Sequence, residues 1–301
     1  MAHSFISSVL VSLTIATTVV TAGCASESTS PEKASRSAAP ASGASPEADA
    51  ALKQFEDAAT PFHCSPVYDD MADAAYNNKL PAMRDNAVKY RQMLSTWDGK
   101  LAKMSFPSAA QSILDRIRHL SAGEMNGLDV LAAVVEEDYT TLSNDVYALD
   151  WTVQVEIDRL SAALGHPKSQ ARLAQHQLEV AYQTFNTDDY WTASLFDAAL
   201  AHNDLGAAKA ANAIQENALQ RYIDRLDAIE WPDGFDDQVN GLRDNLRKMI
   251  EFDRRQVDVA TTAQVVTPEN LPEVQAAEDA ETALFVSLGK MADESDPPPK
   301  C

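Results

Sequence analysis

Residues able to do chemistry are scattered along this chain, not gathered. Helical bundles hold carboxylate-bridged metals through paired Glu-x-x-His motifs, and no Glu here has a His three residues later. His63, His119, His166, His176 and His202 stand far apart, with no two separated by one helical turn. That spacing assigns them to surface or capping roles. Zinc needs clustered Cys and His, and the sequence has no such cluster. The acidic runs are Asp69-Asp70, Glu136-Glu137-Asp138, Asp188-Asp189 and Asp236-Asp237. They lack the alternation, central Gly and closing Glu of a calcium loop. Adjacent carboxylates point in different directions on a helix, so these runs read as solvated faces or first-turn charges. There is no Gly-x-Ser-x-Gly elbow and no glycine-rich phosphate loop. The expectation is a protein with no catalytic residues, no metal and no cofactor, and not an enzyme.

Two softer features remain. Tyr182, Phe185, Tyr190, Trp191 and Phe196 concentrate aromatic surface in one stretch. They suit core packing between helices, or else a ligand pocket or an interface. Asn212 and Gln215 interrupt an otherwise apolar stripe. The simpler reading turns both amides to water and gives the core face to Ala211, Ile214 and Ala218. The other buries them as partners that specify pairing.

Helices must position all of these residues. Only 10 glycines occur in 301 residues, and alternating β-branched patterns are nearly absent. Leu80, Met83, Ala87, Tyr90, Leu94, Trp97, Leu101 and Met104 recur at alternating steps of three and four, one apolar stripe of an amphipathic helix. Arg84, Lys89, Arg91 and Lys100 lie off that stripe, and Phe106-Pro107 is expected to stop the helix.

A second stretch repeats the plan. Leu219, Tyr222, Leu226 and Ile229 match Leu94, Trp97, Leu101 and Met104, Trp231-Pro232 matches Phe106-Pro107, and Ile117-Arg118 matches Leu242-Arg243. The offset is 232 − 107 = 125. One residue slipped, Leu160 and Leu164-Gly165 match Leu284 and Leu288-Gly289. Ser143 and Thr267 both look like N-caps, with Pro268 at a first helical position. The fold class is therefore all-α, expected as a tandem duplication of an approximately four-helix unit. One irregular bundle is the alternative. The units span 49–166 and 169–291, joined by His166-Pro167-Lys168-Ser169, with a flexible tail at 292–301.

The first 23 residues carry no charged side chain and end in Thr21-Ala22-Gly23-Cys24. This segment resembles the signal peptide and lipobox of bacterial lipoproteins. The resemblance implies cleavage after residue 23 and acylation, with palmitate-type chains, on the Cys24 sulfur. An ordinary secretory signal or a retained membrane span is the other reading. Residues 24–48 are rich in Ala, Ser and Pro, which suits a disordered tether. The aromatic-proline pairs give the mature chain a likeness to Ala/Asp-rich helical lipoproteins of high-GC Gram-positive bacteria, a likeness that implies no activity.

Net charge is −21. Such a chain has no basic surface for nucleic acid, and membrane attachment would rest on the lipid anchor. With Cys24 acylated, Cys64 and Cys301 could pair in an oxidising compartment, or stand as unrelated thiols. The expected protein is a lipid-anchored interaction or scaffold protein on the extracytoplasmic face of the cell membrane. The alternative is an anchored binding protein, a carrier or sensor of a small apolar or cationic ligand held between the two units.

Overall fold

The computed structural model describes residues 45–77, 79–135, 140–256, 258–265 and 272–296. The expected signal peptide, Cys24, nearly all of the tether and Cys301 lie outside the described residues. The described residues form helices α1 (Pro46–His63), α2 (Val67–Tyr76), α3 (Leu80–Leu101), α4 (Ser108–Ala133), α5 (Thr140–Ala163), α6 (Gln170–Ala201), α7 (Leu205–Ala228), α8 (Asp236–Gln256) and α9 (Pro272–Ser295), with a 3-10 turn at Thr262–Gln264 and no strand. The protein is all-α.

Side-chain caps set several starts. The Ser45 hydroxyl accepts the Ala48 N–H at 3.1 Å, and Pro46 occupies the first helical position. Helix thus begins at Pro46, two residues before the expected tether end at 48. Ser169 accepts the Arg172 N–H at 3.2 Å, opening α6 at the expected joint. Ser143 is no N-cap: it lies inside α5 and is buried. Thr267 and Pro268 are outside the described residues. Two ends use the left-handed region, Gly165 at φ 90° and Asn203 at φ 56°. There the His166 N–H returns to the Ser161 carbonyl at 2.9 Å and the Asp204 N–H to the Ala199 carbonyl at 2.8 Å, closing each last turn.

The aromatic-proline pairs do not stop helices directly. α3 ends at Leu101 and α7 at Ala228, before Phe106-Pro107 and Trp231-Pro232 are reached. Each pair sits in the turn to the next helix. Phe106 is buried against Phe55, 6.5 Å between ring centroids. The Trp231 indole N–H donates to the Leu226 carbonyl at 3.0 Å. Carrying the ring back to the core forces the chain out of the helix several residues earlier. At the other end, α9 runs to Ser295 with Ala292 fully buried and Gly289 inside the helix, so the expected tail boundary at 292 falls within α9.

Two bundles result. In the first, α1 and α2, separated by the Cys64–Pro66 break, lie on α3; α4 and α5 follow, and α2 closes on α5. In the second, α6, α7, α8 and α9 follow in order and α9 closes on α6. Short connections make most consecutive helices antiparallel neighbours; α8 and α9 are joined by the longer stretch 257–271. α6, 32 residues long and so roughly 48 Å, also packs along α5. Each bundle has its own apolar cluster. One is built around Met83, Leu94, Leu101, Leu114, Ile117, Leu128 and Leu160, the other around Leu178, Leu219, Leu226, Leu242, Leu246, Leu284 and Leu288.

The amide expectation is reversed in part. Ala211 and Ala218 are buried as expected, but so are Asn212 and Gln215, at 3% and 8% exposed, whereas Ile214 is 43% exposed. Ala208, Asn212, Gln215, Leu219, Tyr222 and Leu226 continue one stripe at steps of four and three, so helix register overrides the polarity of two members. Gln215 Nε2 donates to Asp189 Oδ1 at 3.2 Å, which offsets its burial.

Candidate functional site

Two places in the first bundle hold chemistry that the apolar pattern does not explain. One is an open groove of about 460 Å³ between α1 and α3, at the α1–α2 break. Ser65 marks the break and Pro61 lies in the last turn of α1, while Phe62, Met93 and Trp97 form the apolar floor. Phe62 stacks on Trp97 at 5.6 Å. Lys89 and Lys100 stand at the rim, eleven residues apart on one helix, and no Asp or Glu lines the groove. In a chain with 45 acidic residues against 24 basic ones, this is a local inversion of charge. The indole N–H of Trp97 is buried with no hydrogen-bond partner.

The second place lies inside the bundle. Tyr90 of α3 donates its hydroxyl to Asp150 Oδ1 of α5 at 2.7 Å, and the Glu124 carboxyl of α4 meets Asp150. Glu124 is fully buried and Asp150 is 6% exposed. Tyr68 and Tyr147 complete the surroundings, their rings 5.4 Å apart. Burial, then the Asp150 charge, holds Glu124 well above the usual carboxylate range. Burial lifts Asp150 to about 6 against the pull of the Tyr90 hydrogen bond.

A tyrosine–carboxylate bond recurs in the second bundle. Tyr222 of α7 donates to Glu281 of α9, the second and last helices of this bundle, where the first bundle uses its third and last. The separations are 222 − 90 = 132 and 281 − 150 = 131, each seven residues beyond the sequence repeat. Burial raises Glu281 and the neighbouring Glu179 to about 7 each. Burial, then Asp189 and Glu216, does the same for Asp253.

The residues singled out by sequence are dispersed. Tyr182 packs edge-on to Phe285 at 5.5 Å, Phe185 stacks on Tyr222 at 4.8 Å, and Phe196 is buried. Phe196 is a core residue, Phe185 is half-buried against the second apolar cluster, and Tyr182 is half-buried. The side chains of Tyr190, Trp191 and His63 lie outside what is described. His176 is paired with the buried Asp158 at 2.7 Å and His166 with Asp49 at 2.7 Å, while His119 is exposed and His202 ends α6. Among the described residues no group of three or more His, Cys, Asp or Glu is arranged to hold a metal ion. Cys64 is disulfide-bonded.

No family model, curated protein or solved structure matches the chain.

Sequence reasoning passed over Glu124 and Asp150, yet a signal was present. Ala110, Leu114, Ile117, Ser121, Glu124, Leu128 and Leu131 run at steps of four and three. A carboxylate on the core stripe of a long helix marks a buried acid as clearly as an apolar residue marks the core. No helix of the described residues is long and apolar enough to cross a membrane.

Proposed function

We propose that this chain is a lipid-anchored, extracytoplasmic interaction protein without catalytic activity, a duplicated pair of helical bundles carried on an acylated Cys24. The observation that carries the interaction reading is the α1–α3 groove: apolar floor, cationic rim, no acid in its lining. Its occupant is a helical segment of a partner protein with an apolar stripe flanked by acidic side chains, the helix-in-groove mode of recognition. Lys89 and Lys100 lie three turns apart, roughly 16 Å on a helix, a spacing that a facing helix can match with its own acids. The same lysines disfavour the cationic ligand of the alternative, carrier-type reading, which becomes a carrier of an apolar anion bound in this groove.

The anchor and the disulfide are linked by valence. One sulfur cannot carry both a thioether and a disulfide, so acylation of Cys24 leaves Cys301 as the partner of Cys64. Mass mapping of the unreduced mature chain is expected to show an acylated N-terminal Cys24 and a Cys64–Cys301 peptide pair. A chain starting at Met1, or a Cys24–Cys64 pair, removes the anchor. For the groove, a photoreactive residue at Gln92 is expected to cross-link an acidic helical peptide of a membrane-associated protein. Lys89→Glu with Lys100→Glu should reduce that cross-link at least tenfold. Undiminished cross-linking would reject the groove as the contact face.

A further inference from the structure

The Glu124–Asp150 pair is unusual in having carboxyl against carboxyl with no cation to separate them. Neither Glu124 oxygen receives a hydrogen bond from a protein donor, although the residue is fully buried. The Tyr90 hydroxyl is close to both carboxyls, but its single proton is given to Asp150. An oxygen pair of this kind is acceptor facing acceptor. Left as two charges, it would carry the desolvation cost of both ions with added like-charge repulsion. Buried carboxylates in contact cannot both ionise near neutral pH.

The groups facing the pair come from every helix around it. Tyr68 stands on α2, Tyr90 on α3, and Tyr147 on α5 one turn before Asp150. From α6, Glu179 acts on Tyr68, and His176 acts on Asp150 while bound to Asp158. No Lys or Arg is among the charges acting on either carboxyl. The hydroxyls can donate, but only His176 brings positive charge, and it is shared with another acid. A proton is the occupant that both fits a packed interior and turns one acceptor into a donor.

We propose that Glu124 and Asp150 form a buried binding site for one exchangeable proton, held between their carboxyl oxygens. The proton ties α4 to α5 at the centre of the first bundle, and its loss leaves two charges in the core and loosens that bundle. The site owes nothing to the anchor or the groove.

The test uses the full chain with Glu124→Gln, an isostere that donates as the protonated acid does, and infrared spectra with 13C-labelled glutamate. Burial also raises Glu179 and Glu281 to about 7, so the spectra are taken in a Glu179→Gln, Glu281→Gln background. That chain is expected to show the carbonyl stretch of a protonated, label-shifted glutamic acid at about pH 6, fading as pH rises, and adding Glu124→Gln is expected to remove it. In thermal melts Glu124→Gln should fall below or equal the wild type at low pH and exceed it at high pH. In the Glu179→Gln, Glu281→Gln background, no label-shifted band at about pH 6 overturns the proposal, and this readout stands even if the Glu124→Gln variant fails to fold. An equal loss of stability at every pH in Glu124→Gln also overturns it. So does stabilisation of the wild type, but not the variant, by added sodium or calcium ions at high pH, which would give the site to a metal cation.

Discussion

Asp253 shows how a single buried acid makes the whole chain sensitive to pH. It is 3% exposed, its Oδ2 has no hydrogen-bond partner, and burial lifts it to about 7. A carboxyl raised on folding favours the folded state only while it holds its proton. Its contribution is therefore complete below the unfolded value near 4 and is lost as pH climbs through about 7. The slope is about 1.4 kcal/mol per pH unit for one proton. Glu179 and Glu281, also near 7, act in the same direction. Asp253→Asn is expected to raise stability at pH 8 by roughly 1–3 kcal/mol and to leave it little changed at pH 5. Urea titrations at the two pH values measure this, and a variant with the wild-type pH dependence would refute it.

At the level of elements, the distance between helices decides what a side chain may be. A Cβ added at Gly127 of α4 would stand 2.8 Å from Val146 Cγ2 of α5, whereas one at Gly241 of α8 would meet nothing within 4 Å. Both glycines lie inside helices, where alanine is favoured by up to about 1 kcal/mol. Gly241→Ala is expected to stabilise by roughly 0.5–1 kcal/mol. Gly127→Ala is expected to destabilise by about 1–3 kcal/mol, since α4 and α5 must part. Denaturant midpoints decide the pair, and two changes of the same sign would contradict the close α4–α5 approach. The helices themselves were legible in sequence because their stripes span many turns. Their ends were less so: Phe106-Pro107 and Trp231-Pro232 read as stops, but ring burial ends α3 and α7 sooner.

For the whole molecule, the seam between bundles is distinctive. The two large apolar clusters are separate, and the α5–α6 face between them includes the buried Asp158–His176 pair and Trp151 against His176 at 5.4 Å. The tight joint at Gly165–Ser169 and packing along both helices couple the halves. Leu128→Ala, at a fully buried site of the first bundle, is expected to cost about 2–5 kcal/mol. It should lower the melting of both bundles together in one calorimetric transition. Two resolved transitions would show that the polar seam does not couple them.

Sequence alone determined the all-α class, the stripe of α3, the joint at Ser169 and the absence of the recurring metal and catalytic motifs. Each follows from local rules: periodicity, capping and short-range spacing. Tertiary structure alone decided that Asn212 and Gln215 face inward, that Phe185 and Phe196 pack on apolar clusters, and that Glu124 and Asp150 meet. It alone gathered Phe62, Trp97, Lys89 and Lys100 around one groove. Those outcomes depend on which helix lies opposite, and burial and charge are set by neighbours far away in the chain. A carboxylate on a stripe is visible in the sequence, but the second carboxylate that gives it a proton to share is brought there only by the fold.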